Sequence, residues 1–199
     1  MHQTRMEMSS SLTATSRRLP GDPGVWIFVG ADMLMFGLFF SSFVVGRSNN
    51  IELYNLSQQS LNFNYGGINT MILLTSSWFV VLAVHAAKMN RVKLIPHLLA
   101  AAALCGLAFC SLKVVEYTEK FNHGISMLTN DFFMYYFILT GIHFLHVIAG
   151  TVLLFVMWKK ARAGAYGSHH YIGLESGATY WHMVDLLWII LFPLLYLMR

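Results

Sequence analysis

Five apolar blocks, each long enough to cross a bilayer as a helix, fix most of what this chain can become. About 30 Å of hydrocarbon takes about 20 helical residues. Blocks of that order lie near Val25–Val45, Ile68–Ala87, Ile95–Val115, Phe132–Met157 and Ala178–Met198. They are unbroken apolar runs rather than the ten-residue alternations of a membrane barrel, so helices are expected. The 199 residues are 56% hydrophobic and 11% charged, against roughly a quarter charged in an average soluble domain. A single water-soluble core of this size cannot hide so much apolar surface. The predicted class is an all-α integral membrane protein, a bundle of five transmembrane helices.

The charges between the blocks give the orientation. Arg5, Arg17, Arg18, Lys88, Arg91, Lys93, Lys159, Lys160 and Arg162 fall on one side of such a bundle. Arg47, Lys113, Lys120 and Arg199 fall on the other. The positive-inside rule therefore predicts a cytoplasmic N-terminus and an external C-terminus. The net charge of +4 reads as a topology signal, and no nucleic-acid partner is expected. Cys105 and Cys110 lie five positions apart in the third block and point different ways on a helix. They read as packing residues, neither a disulfide nor a metal clip. Residues 1–19, rich in Ser and Thr with no apolar core, predict a disordered cytoplasmic tail rather than a cleavable signal peptide. The membrane domain is expected over 20–199, opened by turn chemistry at Pro20–Gly24, with 46–67 as a polar outside loop.

Ionisable groups at membrane depth cost several kcal/mol and need a partner or a purpose. Here they are Asp32, His85, His143, His146, His182 and Asp185, with Glu116 and Glu175 at span ends. At 1.5 Å per residue, Asp32 sits about 10 Å in from the cytoplasmic end of its span. His143/His146 and His182/Asp185 each share a helix face at i, i+3. Most of these groups converge on the cytoplasmic half, while Glu116 stands at the outer end with Lys113 and Lys120 one turn to either side. Three readings compete. The groups form an interhelical hydrogen-bond network holding the fold; or the histidines and Asp185 bind metal or haem; or they handle protons. The metal reading is the weakest, because the two pairs can satisfy each other across two helices. Proton handling rests on Asp32, which has no local partner in Gly30, Ala31 and Met33 and sits where ionisation is disfavoured.

Several motifs resemble subunit III of the haem-copper oxidases. The stretch Gly141–Gly150, carrying His143 and His146, is similar to one block of that family. Glu175, followed by Tyr180, Trp181, His182, Asp185 and Trp188, resembles its closing motif. His169 and His170 resemble the histidine pair ahead of that motif, and Glu116 with Tyr117 the Glu-Tyr pair ending the preceding helix. Asp32 falls where the family carries a buried carboxylate, usually Glu. The resemblance covers about residues 20–199.

Two departures stand out. The chain looks like the shortened form, without the first two of seven spans, so the lipid cleft that those helices bound in the family is incomplete. The Asp in place of Glu, with Pro20–Gly24 and Asn69–Trp78, looks closer to the accessory E-type subunit of nitric oxide reductase clusters. The resemblance implies a non-catalytic subunit of a respiratory oxidase or nitric oxide reductase in a bacterial inner (plasma) membrane. It would have no redox centre of its own; haem and copper would sit in the large catalytic subunit I beside it. Membrane lipid is the other expected partner, including a bound phospholipid. The implied role is support of assembly, turnover stability and proton uptake. The alternative is an independent small transporter or channel using the buried Asp/His network, which would transport alone in liposomes.

Overall fold

The computed structural model describes residues 21–168 and 170–198. The expected tail at 1–19, together with His169 and Arg199, lies outside the described residues. Among the described residues six α-helices follow one another: α1 (Pro23–Asn49), α2 (Ile51–Gln59), α3 (Phe63–Lys88), α4 (Ile95–Asn122), α5 (Asp131–Arg162) and α6 (Ile172–Phe192). A π-helical turn, Pro193–Leu197, continues α6. All but α2 are long and apolar enough to cross a membrane, the last over Ile172–Leu197.

Each span runs past its apolar block at one end or both, and three of the five open on a polar N-cap. Asp22 accepts from the Gly24 amide at 2.9 Å, and Pro23 opens α1. Asn62 does the same for Asn64 at 3.0 Å, and Asn130 for Phe133 at 3.0 Å. Lys159, Lys160 and Arg162 in the last turn of α5 face its negative dipole end.

The expected polar loop at 46–67 is instead mostly helical, holding the end of α1, all of α2 and the start of α3. The cause is Tyr54, 1% exposed, which packs edge-on to Phe43 at 5.4 Å and Phe132 at 5.6 Å. Gly46 makes room for it, since a Cβ there would stand 2.6 Å from the Tyr54 hydroxyl. Burial pushes that hydroxyl up to about pH 12.

Helix α4 packs against α3 and α5, and α6 against α3 and α5. The centre is aromatic: Trp181 and Trp188 of α6, Phe109 of α4 and Tyr136 of α5 are all fully buried. Small residues let α4 and α5 close around Trp181. A Cβ at Gly150 would come within 2.7 Å of its ring, and one at Gly106 within 3.1 Å. Helix α1 is peripheral and buries only Asp32, Phe36 and Phe43. Cys105 and Cys110 are free thiols, half-buried.

Candidate functional site

The ionisable groups gather in two places, one toward each end of the bundle. At the end carrying Lys88, Asp32 finds the partner that its own helix lacks. Its Oδ2 lies 3.3 Å from His146 Nε2 of α5, within ion-pair reach though not aligned as a hydrogen bond. The opposite ring nitrogen, Nδ1, stands 2.8 Å from the Ile142 carbonyl. A carbonyl only accepts, so Nδ1 must carry the hydrogen there. Nε2 and Oδ2 would then be two bare acceptors face to face. The contact is favourable only if one further proton resides on the pair, as an imidazolium or as a carboxylic acid.

Glu175 sits in the first turn of α6, where the helix dipole favours an anion. Its Oε1 pairs with Lys88 at 2.7 Å, and its Oε2 accepts from the Gly21 amide at 3.2 Å. Ser176 Oγ accepts from the Asp22 amide at 3.0 Å, so the entry to α1 is tied to the start of α6. Gly21 has φ +81°, and a Cβ would approach the Ser176 backbone to 3.1 Å, which is why glycine stands there. His182 Nδ1 lies 2.5 Å from Ser77 Oγ of α3 and 3.7 Å from Asp185 Oδ2. An open groove of about 300 Å³ between α3 and α6 is lined by His85, Lys88, Glu175, Thr179 and His182.

The other cluster forms around Glu116. Lys113, counted from the sequence as an external charge, is fully buried and donates to Glu116 Oε2 at 2.9 Å. Its ammonium also donates to the hydroxyls of Tyr136 and Tyr196, each at 3.3 Å. Both hydroxyls in turn donate to Glu116 Oε1, at 2.7 and 2.5 Å. Four aromatic rings, Tyr117, Tyr136, Trp188 and Tyr196, lie within 6 Å of the ammonium. Lys120, the other neighbour expected beside Glu116, instead donates to the Ser60 carbonyl below α2. Lys113 and Lys120, two of the four basic residues assigned from the sequence to the outer side, are both buried.

His143 belongs to neither cluster. It is fully buried, stacked on Trp188 at 5.2 Å and edge-on to Phe109 at 5.9 Å. Neither of its ring nitrogens has a hydrogen-bond partner among the described residues, and the same holds for the buried amide of Asn69. The expected mutual pairing of His143/His146 with His182/Asp185 is therefore not formed. His146 turns to α1, His182 to α3, and His143 to the aromatic core. Helical spacing gives the face of each residue on its own helix but not the rotation of that helix against its neighbours. Among the described residues no group of three or more His, Cys, Asp or Glu is placed to hold a metal.

The architecture and these interior groups define a multi-pass helical membrane protein with ion pairs sequestered between its helices. A family model described as Cytochrome c oxidase subunit III matches residues 19–199. Cytochrome c oxidase subunit 3 of Thermostichus vulcanus is 32% identical over 88% of this chain and 86% of its own. The subunit of the same name from Alkalihalophilus pseudofirmus is 29% identical over 92% of this chain and 95% of its own. Cytochrome bo(3) ubiquinol oxidase subunit 3 of Buchnera aphidicola is 27% identical over 87% and 84%. The chain belongs to the cytochrome c oxidase subunit III family, and is a multi-pass membrane subunit of the haem-copper oxidase type.

Proposed function

We propose that this chain is a non-catalytic subunit that packs beside the large catalytic subunit I of a bacterial haem-copper oxidase or nitric oxide reductase. There it supports assembly, turnover stability and proton uptake. Haem and copper belong to the partner in this reading, and this chain supplies acid–base groups. Its N-terminus faces the cytoplasm and its C-terminus the other side of the inner membrane.

The observation that carries the proton-handling part is the Asp32–His146 contact. The ring's own hydrogen is directed to the Ile142 carbonyl, which leaves Nε2 and the Asp32 carboxylate facing each other with room for one shared proton. Such a pair lies on α1's lightly packed face, so losing the proton would loosen one contact between α1 and α5 rather than the core of the bundle. The groove lined by His85, Lys88, Glu175 and His182 places further exchangeable groups at the same end.

The test is Asp32→Asn in the intact host enzyme. The amide keeps the shape and can itself donate to His146 Nε2, so co-purification with the large subunit should survive. Turnover should weaken most at high pH, where protons are scarce. Wild-type turnover across the whole pH range would end the proton-uptake reading. Separately, if gentle extraction yielded only free chain while the host enzyme ran intact, the subunit reading itself would fall.

A further inference from the structure

The connection from α4 to α5 carries a turn that holds two apolar side chains out in the open. Leu128 is 94% exposed and Met127 46%. The backbone beneath them is fixed. The Thr129 amide donates to the Ser126 carbonyl at 3.1 Å, and the Ser126 amide donates to Thr129 Oγ1 at 2.9 Å. The Leu128 amide donates to Ser126 Oγ at 3.3 Å. Before the turn, Ile125 packs on the core. After it, Asn130 uses both ends of its amide: Oδ1 accepts from the Phe133 amide, and Nδ2 donates to Ser57 Oγ of α2 at 2.9 Å. Helix α2 adds two more exposed apolar side chains, Leu53 and Leu56, three positions apart and so on one face. The exposed charges nearest in the chain have one sign. Glu52 in the first turn of α2 and Asp131 at the head of α5 are exposed, and neither forms an ion pair among the described residues. Of the cations at this end, Arg47 donates to Asn55 Oδ1 at 3.0 Å and Lys120 to the Ser60 carbonyl.

We infer that this turn is a docking tip for a neighbouring polypeptide of the host enzyme, one that offers an apolar socket with Lys or Arg on its rim. The inference rests on the subunit reading above and adds to it a contact at the loop end of the bundle. A tip already held in one conformation loses little freedom when it is covered, so its apolar area converts efficiently into binding. Segments that anchor in a membrane surface set cations and aromatic rings beside their apolar side chains. Here the companions are carboxylates, which complement a basic rim and set register and salt dependence. None of these side chains belongs to the Asp32–His146 pair, so the docking tip and the proton-handling pair can fail independently.

Met127 is its own reporter, because sulfoxide formation follows exposure. The free full-length chain and the intact host enzyme, both in phosphatidylcholine nanodiscs, are treated with chloramine-T. Peptide mass spectrometry follows the sulfoxide at Met127 against Met183, which is 3% exposed. Met127 should oxidise readily in the free chain and at least about tenfold more slowly in the enzyme. Leu128→Asp should lower retention of the chain by the enzyme at least about tenfold, because a charge replaces the apolar side chain in the socket. The thermal transition of the free chain should not move, since Leu128 touches solvent there. Glu52→Gln with Asp131→Asn should lower retention less and flatten its salt dependence. Protection of Met127 already in the free chain would place the tip in the membrane surface, and equally fast oxidation in chain and enzyme would leave it in solvent. Either result overturns the inference, as does full retention of Leu128→Asp. Absence of the wild-type chain from the intact enzyme would instead bring down the subunit reading, and this surface with it.

Discussion

Replacing one member of the Lys113–Glu116 pair should be among the most damaging single changes in this protein, and replacing both should be mild. The three ammonium hydrogens of Lys113 go to Glu116 Oε2, Tyr136 and Tyr196, and both tyrosine hydroxyls pass their own hydrogens to Glu116 Oε1. Every hydrogen in the cluster has an acceptor, and the two charged side chains are 0% and 1% exposed. Glu116→Leu leaves a buried ammonium with no counter-charge. Removing one partner of such a pair costs about 3–5 kcal/mol. Lys113→Met strands the carboxylate in the same way. The double variant Lys113→Met/Glu116→Leu removes both charges at once. The space is then lined by Tyr117, Trp188 and the two tyrosines, whose hydroxyls stand 3.4 Å apart and can bond each other. Its stability should return to within about 1 kcal/mol of wild type, because well-packed apolar replacements of buried pairs are often neutral.

The measurement is reversible unfolding from mild detergent into dodecyl sulfate, followed by circular dichroism for the four chains of a double-mutant cycle. The coupling energy should be at least about 3 kcal/mol, far above the few tenths seen between independent sites. Tyr196→Phe, which removes one hydroxyl from the network, should fall between, at about 1–3 kcal/mol. Single variants within about 1 kcal/mol of wild type, or additive losses in the double, would refute the closed-network account.

Reporter fusions at Arg199 and within 158–177 should report opposite sides of the membrane, with the loop cytoplasmic; agreement between them would remove the five-span arrangement. His143→Leu should be neutral or stabilising, because the ring nitrogens it deletes have no partner among the described residues. A loss above about 2 kcal/mol would mean that those nitrogens are satisfied in the membrane after all. Tyr54 ionises near pH 12 rather than at its ordinary 10 because it is buried. Its docking therefore contributes stability that is whole below pH 10 and lost as pH rises through 12. Hydrogen exchange in α2 should accelerate across that window in wild type and not in Tyr54→Phe; an identical profile in both would remove Tyr54 as the anchor.

The five spans were legible because their signal is compositional and continuous. Unbroken runs such as Phe132–Met157 leave no other economical fold. Their ends were less legible, since Asp22, Asn62 and Asn130 are single capping residues set in polar surroundings. Helix α2 was missed because Ile51–Gln59 is short and polar, and only tertiary packing of Tyr54 against Phe43 and Phe132 makes it a helix worth forming. The candidate polar residues were legible one by one, from the cost of an ionisable group at membrane depth. Their partners were not. The i, i+3 spacing of Lys113 and Glu116 hinted at a pair, but Tyr136 and Tyr196 arrive from helices 20 and 80 residues further along. The π-helical turn after Pro193 also had to rotate Tyr196 inward. Nothing in the local sequence of Asp32 named His146.

The two clusters differ in a way that separates holding a fold from doing chemistry. Around Glu116 each hydrogen is assigned and each lone pair that matters is used, so a proton added or removed breaks a charge pair in a dry interior. That arrangement resists change and is suited to clamping the C-terminal turn onto α4 and α5. Around Asp32 the count is open. His146 commits one nitrogen to Ile142, the contact to Asp32 is unaligned, and His182 stands between Ser77 and Asp185 beside an open groove. Side chains are 13% and 18% exposed in the Asp32–His146 pair, against 1% or less in the other. Neutralising substitutions should therefore dissociate the two properties. Glu116→Gln should lower stability with no pH-dependent change in turnover per assembled complex. Asp32→Asn should leave stability nearly unchanged while altering the pH profile. A pH-dependent defect from Glu116→Gln in the assembled enzyme would break this division, because it would place proton exchange in a cluster with no unassigned hydrogen.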